Sequence, residues 1–211
     1  MIKKGMLLIM LASIFMIIAM PGPAKAESII IAVDPTSITV NNVGDVFKVN
    51  VTITNAASVY GIQFKLQWDG AIVNCTSVTL PSGHFMDPTG VEQENGNLWI
   101  ISKKRGDSTA EYAVTYYSLD DSDARGTTPR TGNGTLATLT MKALAVGSTP
   151  ITFVLEETVI GDRDAKPLDY TKVDGEITVV PEFNSIGLIL ILIAATTITL
   201  IASKRRTKKL Y

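Results

Sequence analysis

Between residues 29 and 180 apolar and polar side chains alternate with a period of two, run after run. Successive side chains on a strand point to opposite faces, so each run reads as a half-buried β-strand. From Val46 to Thr54, Phe47, Val49, Val51 and Ile53 share one face, and Lys48, Asn50, Thr52 and Thr54 take the other. Ile62, Phe64, Leu66 and Trp68 alternate with Gln63, Lys65 and Gln67. Ala137, Leu139, Met141 and Ala143 alternate with Thr138, Thr140 and Lys142; Ile151, Phe153 and Leu155 with Thr152 and Val154; and Ile177 and Val179 follow suit. Ile29–Val33, Ile38–Val40, Val73–Leu80, Asn97–Ser102 and Tyr112–Leu119 are further strand candidates.

No stretch between them carries a persuasive helical period. Turn signals separate the runs: Asp34-Pro35, Asn42-Val43-Gly44-Asp45, Asp69-Gly70, Pro81-Ser82-Gly83, Asn95-Gly96, Gly132-Asn133-Gly134 and Asp174-Gly175. About nine or ten short strands, each with one apolar face, predict an all-β chain: a single jelly-roll-like sandwich of two antiparallel sheets. Trp68 and Cys75 fall on core faces, where a thiol is inert packing. One Cys and one His in 211 residues exclude a disulfide framework, a Cys-based zinc site and a histidine cluster.

The ends differ from the middle. Lys3 and Lys4 precede an apolar stretch, Met6 to Met20, then Pro21-Gly22-Pro23 and Ala24-Lys25-Ala26. A basic region, an apolar core and an A-x-A site mark residues 1–26 as a secretory signal peptide cleaved after Ala26, with Ala24 and Ala26 at the site. An uncleaved anchor is the alternative, and the shortness of the run disfavours it. At the other end Ile186 to Ala202 are 17 residues without a charge, followed by Lys204, Arg205, Arg206, Lys208 and Lys209. We read 186–203 as a membrane span and 204–211 as a basic cytoplasmic tail. Both cues place residues 27–180 outside the membrane.

Pro181-Glu182-Phe183 stands immediately before this span. The tripeptide, short span and basic terminus resemble the PEF-CTERM sorting signals of archaeal surface proteins. The resemblance assigns 181–211 to that signal, implies Pro181, Glu182 and Phe183 as the sorting motif, and implies an archaeosortase-like processing enzyme as a partner. A plain single-span anchor is the alternative. Residues 27–180 carry 19 acidic and 11 basic side chains, a net charge of −8. An acidic domain of this kind argues against nucleic acid as a partner.

Several stretches of the middle carry a second resemblance. Asn42-Val43-Gly44-Asp45-Val46-Phe47-Lys48-Val49-Asn50-Val51 and Ala57 through Asp69 are similar to the opening strands of cohesin modules. Gly134-Thr135-Leu136-Ala137-Thr138-Leu139-Thr140-Met141-Lys142-Ala143 resembles a late strand of that family, with Met141 where Phe is usual. Gly147–Phe153 and Asp174–Val179 complete the order, and residues 81–132 depart furthest from it. The resemblance implies a nine-stranded jelly-roll sandwich related to carbohydrate-binding modules. It also implies a partner that bears a dockerin, with any calcium on the dockerin's side.

No sequence pattern assembles a nucleophile. His84, Ser82 and Asp87 share a loop, but adjacency is not triad geometry. Asp120-Asp121-Ser122-Asp123 and Asp162-Arg163-Asp164 offer carboxylates for Ca²⁺, yet Arg125 and Lys166 stand where EF-hand spacing needs a third ligand, which favours solvated loops. Arg105-Gly106-Asp107 reads as a turn. Asn50-Val51-Thr52, Asn74-Cys75-Thr76 and Asn133-Gly134-Thr135 are N-glycosylation sequons, with Asn50 and Asn74 on the polar faces of strands and Asn133 in a Gly-rich turn. The expected function is a non-catalytic docking module, without cofactor or metal, held at the outer face of the membrane. Polysaccharide binding through Trp99, Tyr112, Tyr116 and Tyr117, each of which suits a core or sheet-packing role at least as well, is one rival, and a structural envelope glycoprotein is another.

Overall fold

A computed structural model describes residues 28–116, 129–181 and Ile193. The proposed cleavage site at Ala24 and Ala26, Glu182 and Phe183 of the sorting motif, the basic tail, Tyr117 and Asp120–Asp123 lie outside the described residues, as does the proposed span apart from Ile193.

Two sheets pack face to face. In chain order the strands are β1 (Ile29–Asp34), β2 (Ser37–Val40), β3 (Val46–Val59), β4 (Gly61–Gln67), β5 (Val73–Thr79), β6 (Leu98–Arg105), β7 (Thr109–Tyr116), β8 (Arg130–Ala143), β9 (Gly147–Phe153), β10 (Val159–Gly161), β11 (Tyr170–Val173) and β12 (Gly175–Val179). One helical turn, α1 (Val91–Glu94), precedes β6. The first sheet runs β11-β1-β3-β8-β5; the second runs β2-β12-β9-β4-β7-β6, with β10 also paired to β4.

The alternating runs become strands whose apolar residues meet in one core. Val49, Val51 and Ile53 of β3, Leu139 and Met141 of β8, Phe64 and Leu66 of β4, and Ile177 of β12 are all buried. Full burial of such side chains contributes roughly 1.5–3 kcal/mol each, so this shared core is the main favourable term. Phe64 stacks on Tyr112 at 5.2 Å and meets Phe153 edge-on at 6.1 Å. Trp68 closes the core, and its indole N–H is satisfied by the carbonyls of Val73 and Asp107, each 3.0 Å away.

Four expectations are corrected. The sheets are mixed, because β11 pairs parallel to β1 and β2 parallel to β12. Leu155 leaves the alternation and is exposed, because Leu155–Glu157 form a 3-10 turn that ends β9. That turn lets one edge of β4 serve two partners, with Leu66 opposite Phe153 of β9 and Gln63 opposite Val159 of β10. Gly132-Asn133-Gly134 is no turn: it lies within β8, along a stretch where the β3–β8 pairing is broken by register shifts. Finally, α1 occupies a segment that shows no helical period.

Candidate interaction face

Ile62, Phe64 and Leu66 of β4 point into the core, so Gly61, Gln63, Lys65 and Gln67 face solvent. Pairing carries that outer face across four strands. One row runs Gly161, Gly61, Thr115 and Trp99; the next runs Val159, Gln63, Ala113 and Ser102. The register shifts between Ile100 and Ser102, so Ile101 is an extra residue in β6. Ile100 packs against the core while Trp99 and Ile101 are 55% and 56% exposed. Val159 is 43% and Leu155 58% exposed.

The two glycines leave a depression between Ile101 and Val159. A Cβ at Gly61 would stand 3.0 Å from Thr115 Oγ1, so the close approach there depends on glycine. The groove holds about 390 Å³ and is lined by Tyr60, Gln63, Ile101, Ala113, Val159 and Arg163, among others. One row further along, charges alternate across the strands. Lys65 Nζ lies 2.9 Å from Glu157 Oε1 and 3.6 Å from Glu111 Oε1, and Lys104 Nζ lies 3.9 Å from Glu111 Oε2. The hydrogen bond it donates to the Glu157 carboxylate holds the Lys65 ammonium above its ordinary range against the opposing cost of desolvation. The face thus joins an apolar groove to a balanced ladder of charges.

The groove and the C-terminal exit lie at opposite ends of this sheet. Val179 pairs with Gly147 at the start of β9, Phe153 at its end pairs with Leu66, and Gly61 starts β4. Eleven residue steps separate the two levels, on the order of 35 Å at about 3.3 Å per residue.

The loop after β5 is occupied structurally. His84 is 4% exposed, and neither ring nitrogen has a partner. Burial pushes its pKa below the ordinary value. The Asp87 carboxylate accepts the backbone N–H groups of Glu92 (3.2 Å) and Gln93 (3.0 Å), so it serves the start of α1 and does not orient His84. The Tyr116 hydroxyl donates to the Met86 carbonyl, to which Arg130 Nε also donates at 3.1 Å. Arg130 further pairs with Glu92 at 3.7 Å. Ser82, His84 and Asp87 therefore form no nucleophilic relay.

The other singled-out residues take these places. Tyr112 and Tyr116 are buried, 0% and 3% exposed, which removes both from any sugar-stacking platform. Their strand alternates inward at those positions and their rings fill the core. Cys75 is buried and donates to the Ser77 carbonyl, with its pKa raised by desolvation. Asp162 Oδ1 accepts the N–H groups of Asp164 and Lys166, both at 2.9 Å, and so closes a turn. Arg105-Gly106-Asp107 begins the turn from β6 to β7, with Gly106 N–H donating to the Thr109 carbonyl. Asn50 and Asn74 are half-buried in β3 and β5, Asn133 is exposed in β8, and Pro181 is exposed beyond β12. Sequence reasoning missed Ile101, Leu155 and Val159. The consecutive Trp99-Ile100-Ile101 breaks alternation and is the local sign of the bulge.

A cohesin-domain family model matches residues 31–179. Comparison with curated proteins finds no match. Solved structures share the fold. CaCohA2 from Clostridium acetobutylicum is 21% identical, with a TM-score of 0.54 over 74% of this chain and 93% of that one. A non-cellulosomal cohesin from the hyperthermophilic archaeon Archaeoglobus fulgidus is 15% identical, with a TM-score of 0.53 over 76% and 97%. A chain of the Coh-OlpA–Doc918 complex, a type I cohesin–dockerin complex from Clostridium thermocellum, is 16% identical, with a TM-score of 0.53 over 73% and 100%. The chain belongs to the cohesin-domain family.

Proposed function

We propose that this cohesin-domain chain is a non-catalytic docking module, displayed outside the cell membrane, that binds a dockerin-bearing protein through the outer face of β4, β6, β7 and β10. The observation that carries the reading is the groove between Ile101 and Val159, with exposed Trp99 on the same outer face, an apolar surface on the solvent side of a sheet whose other side is already buried. Complexes such as Coh-OlpA–Doc918 support a dockerin as the partner class. Hydrogen exchange of the folded chain with and without a bound dockerin tests the location. Slowed exchange in β4, β6 and β7 supports this face; protection confined to β3 and β8 contradicts it.

Residues 1–26 act in this reading as a cleaved export signal. Residues 181–211 are a sorting segment recognised through Pro181, Glu182 and Phe183 by an archaeosortase-like enzyme. The groove at the far end of the sheet from Pro181 supports display away from the membrane. The intact mass of the native chain tests the tail. A mass lacking the residues after the motif supports sorting by cleavage, and a full-length C-terminus requires a permanent span.

Direct polysaccharide binding is the weaker reading. Among the described residues Trp99 alone joins a large aromatic ring to majority exposure. One ring gives a single stacking contact, whereas a polysaccharide platform lines up several.

A further inference from the structure

All three sequons lie on the first sheet: Asn50 in β3, Asn74 in β5 and Asn133 in β8. Val49 and Val51 are buried on either side of Asn50, so its side chain belongs to the solvent face. That face is rich in short polar residues, with Thr52 beside Asn50 and Thr138 and Thr140 on the neighbouring strand. The second sheet, which carries the apolar groove, has no sequon.

The hydrogen bonding leaves the right atom for modification. The backbone N–H of Asn55 lies 2.8 Å from the Asn133 carboxamide and can only donate, so the atom it meets is Oδ1. The amide nitrogen of exposed Asn133 is then the end turned to water. The Thr138 hydroxyl donates to Asn50 Oδ1 at 2.8 Å. Asn133 also stands where register shifts interrupt the β3–β8 pairing.

We infer that Asn50 and Asn133 carry N-linked glycans, which cover the outer face of the first sheet and leave the opposite, groove-bearing face bare. The donor is a lipid-linked glycosyl phosphate. The bond from the sugar's anomeric carbon to the phosphate oxygen breaks, and a bond from that carbon to the asparagine nitrogen forms. The lipid phosphate leaves with its oxygen, and the nitrogen gives up one proton. At Asn50, in a strand paired on both sides, transfer precedes closure of the sheet. A glycosylated first sheet blocks side-by-side association through that face and confines docking to the other.

The inference rests on export, and the test separates the two. The native full-length chain is labelled on intact cells with a membrane-impermeant reagent, recovered, and analysed as peptides by mass spectrometry. Glycan mass on the peptides of Asn50 and Asn133 is the expected result. Thr135→Ala is expected to abolish the modification at Asn133 although the asparagine remains, and Thr135→Ser to retain it. Unmodified peptides at both positions from chain recovered at the surface overturn the inference. A chain that escapes surface labelling overturns export instead.

Discussion

Lys65 Nζ stands 2.9 Å from Glu157 Oε1 and 3.1 Å from Oε2, a forked contact that ties β4 to the 3-10 turn between β9 and β10. That turn sets the exposed positions of Leu155 and Val159, so the contact sits at the border of the groove. The pair is partly exposed, and ion pairs within reach of water contribute little to folding, because water and salt screen them and two long side chains must be ordered. Glu157→Gln is therefore expected to leave the melting temperature essentially unchanged while weakening the dockerin complex. A scanning melt beside a binding titration checks this, and a large loss of folding stability would contradict it.

Trp99 and Ile101 are expected to dominate the binding energy. Large exposed side chains at the centre of a docking patch are the usual hot spots. Trp99→Ala should weaken dockerin binding tenfold or more, about 1.4 kcal/mol or above, with an unchanged far-UV spectrum and melt. Affinity unchanged by both Trp99→Ala and Ile101→Ala would place the interface elsewhere.

Gly175 shows how tightly the sheets approach. A Cβ there would lie 2.8 Å from Val33 Cγ1 and 3.0 Å from Ile151 Cγ2. Overpacking of this kind costs roughly 1–3 kcal/mol. Gly175→Ala should thus lower the melting temperature by roughly 3–10 °C for a domain of this size. A melt within a degree of the parent would show that Val33 and Ile151 give way freely.

His84, the only histidine, makes the stability of the domain pH-dependent. Burial depresses its folded-state pKa below 6.5, so the unfolded chain binds the proton more readily. Above pH 6.5 both states are neutral and the penalty is absent. As pH falls below 6.5 the unfolded state gains the proton first and stability declines, levelling off once pH passes the folded value. His84→Gln should flatten this part of the melting-temperature profile relative to the parent. Parallel profiles for the two proteins would refute the assignment.

Alternation carried much of the fold in the sequence. Phe64, Leu66, Val49, Val51, Leu139, Met141, Ile177 and Val179 all lie inside as the period of two requires. The strands β10 and β11 were not legible, since three or four residues give too short a period to read. Nor were the parallel pairs of β1 with β11 and β2 with β12, which join residues far apart in the chain and leave no local mark. His84 reads as an ordinary loop residue, yet Phe85 and Met86 draw its loop into the core. Tyr112 and Tyr116 follow inward alternation that chemistry alone would not assign. The proposed docking face was hidden because it depends on a bulge at Ile101 and on β4 sharing an edge between β9 and β10.

The most direct test is calorimetric titration of the folded sandwich, freed of both apolar termini, with dockerin modules encoded in the same genome, with and without Ca²⁺. Saturable one-to-one binding to at least one of them, lost on chelation and weakened by Trp99→Ala, is the expected result. A folded domain that gives no heat with any dockerin would contradict it.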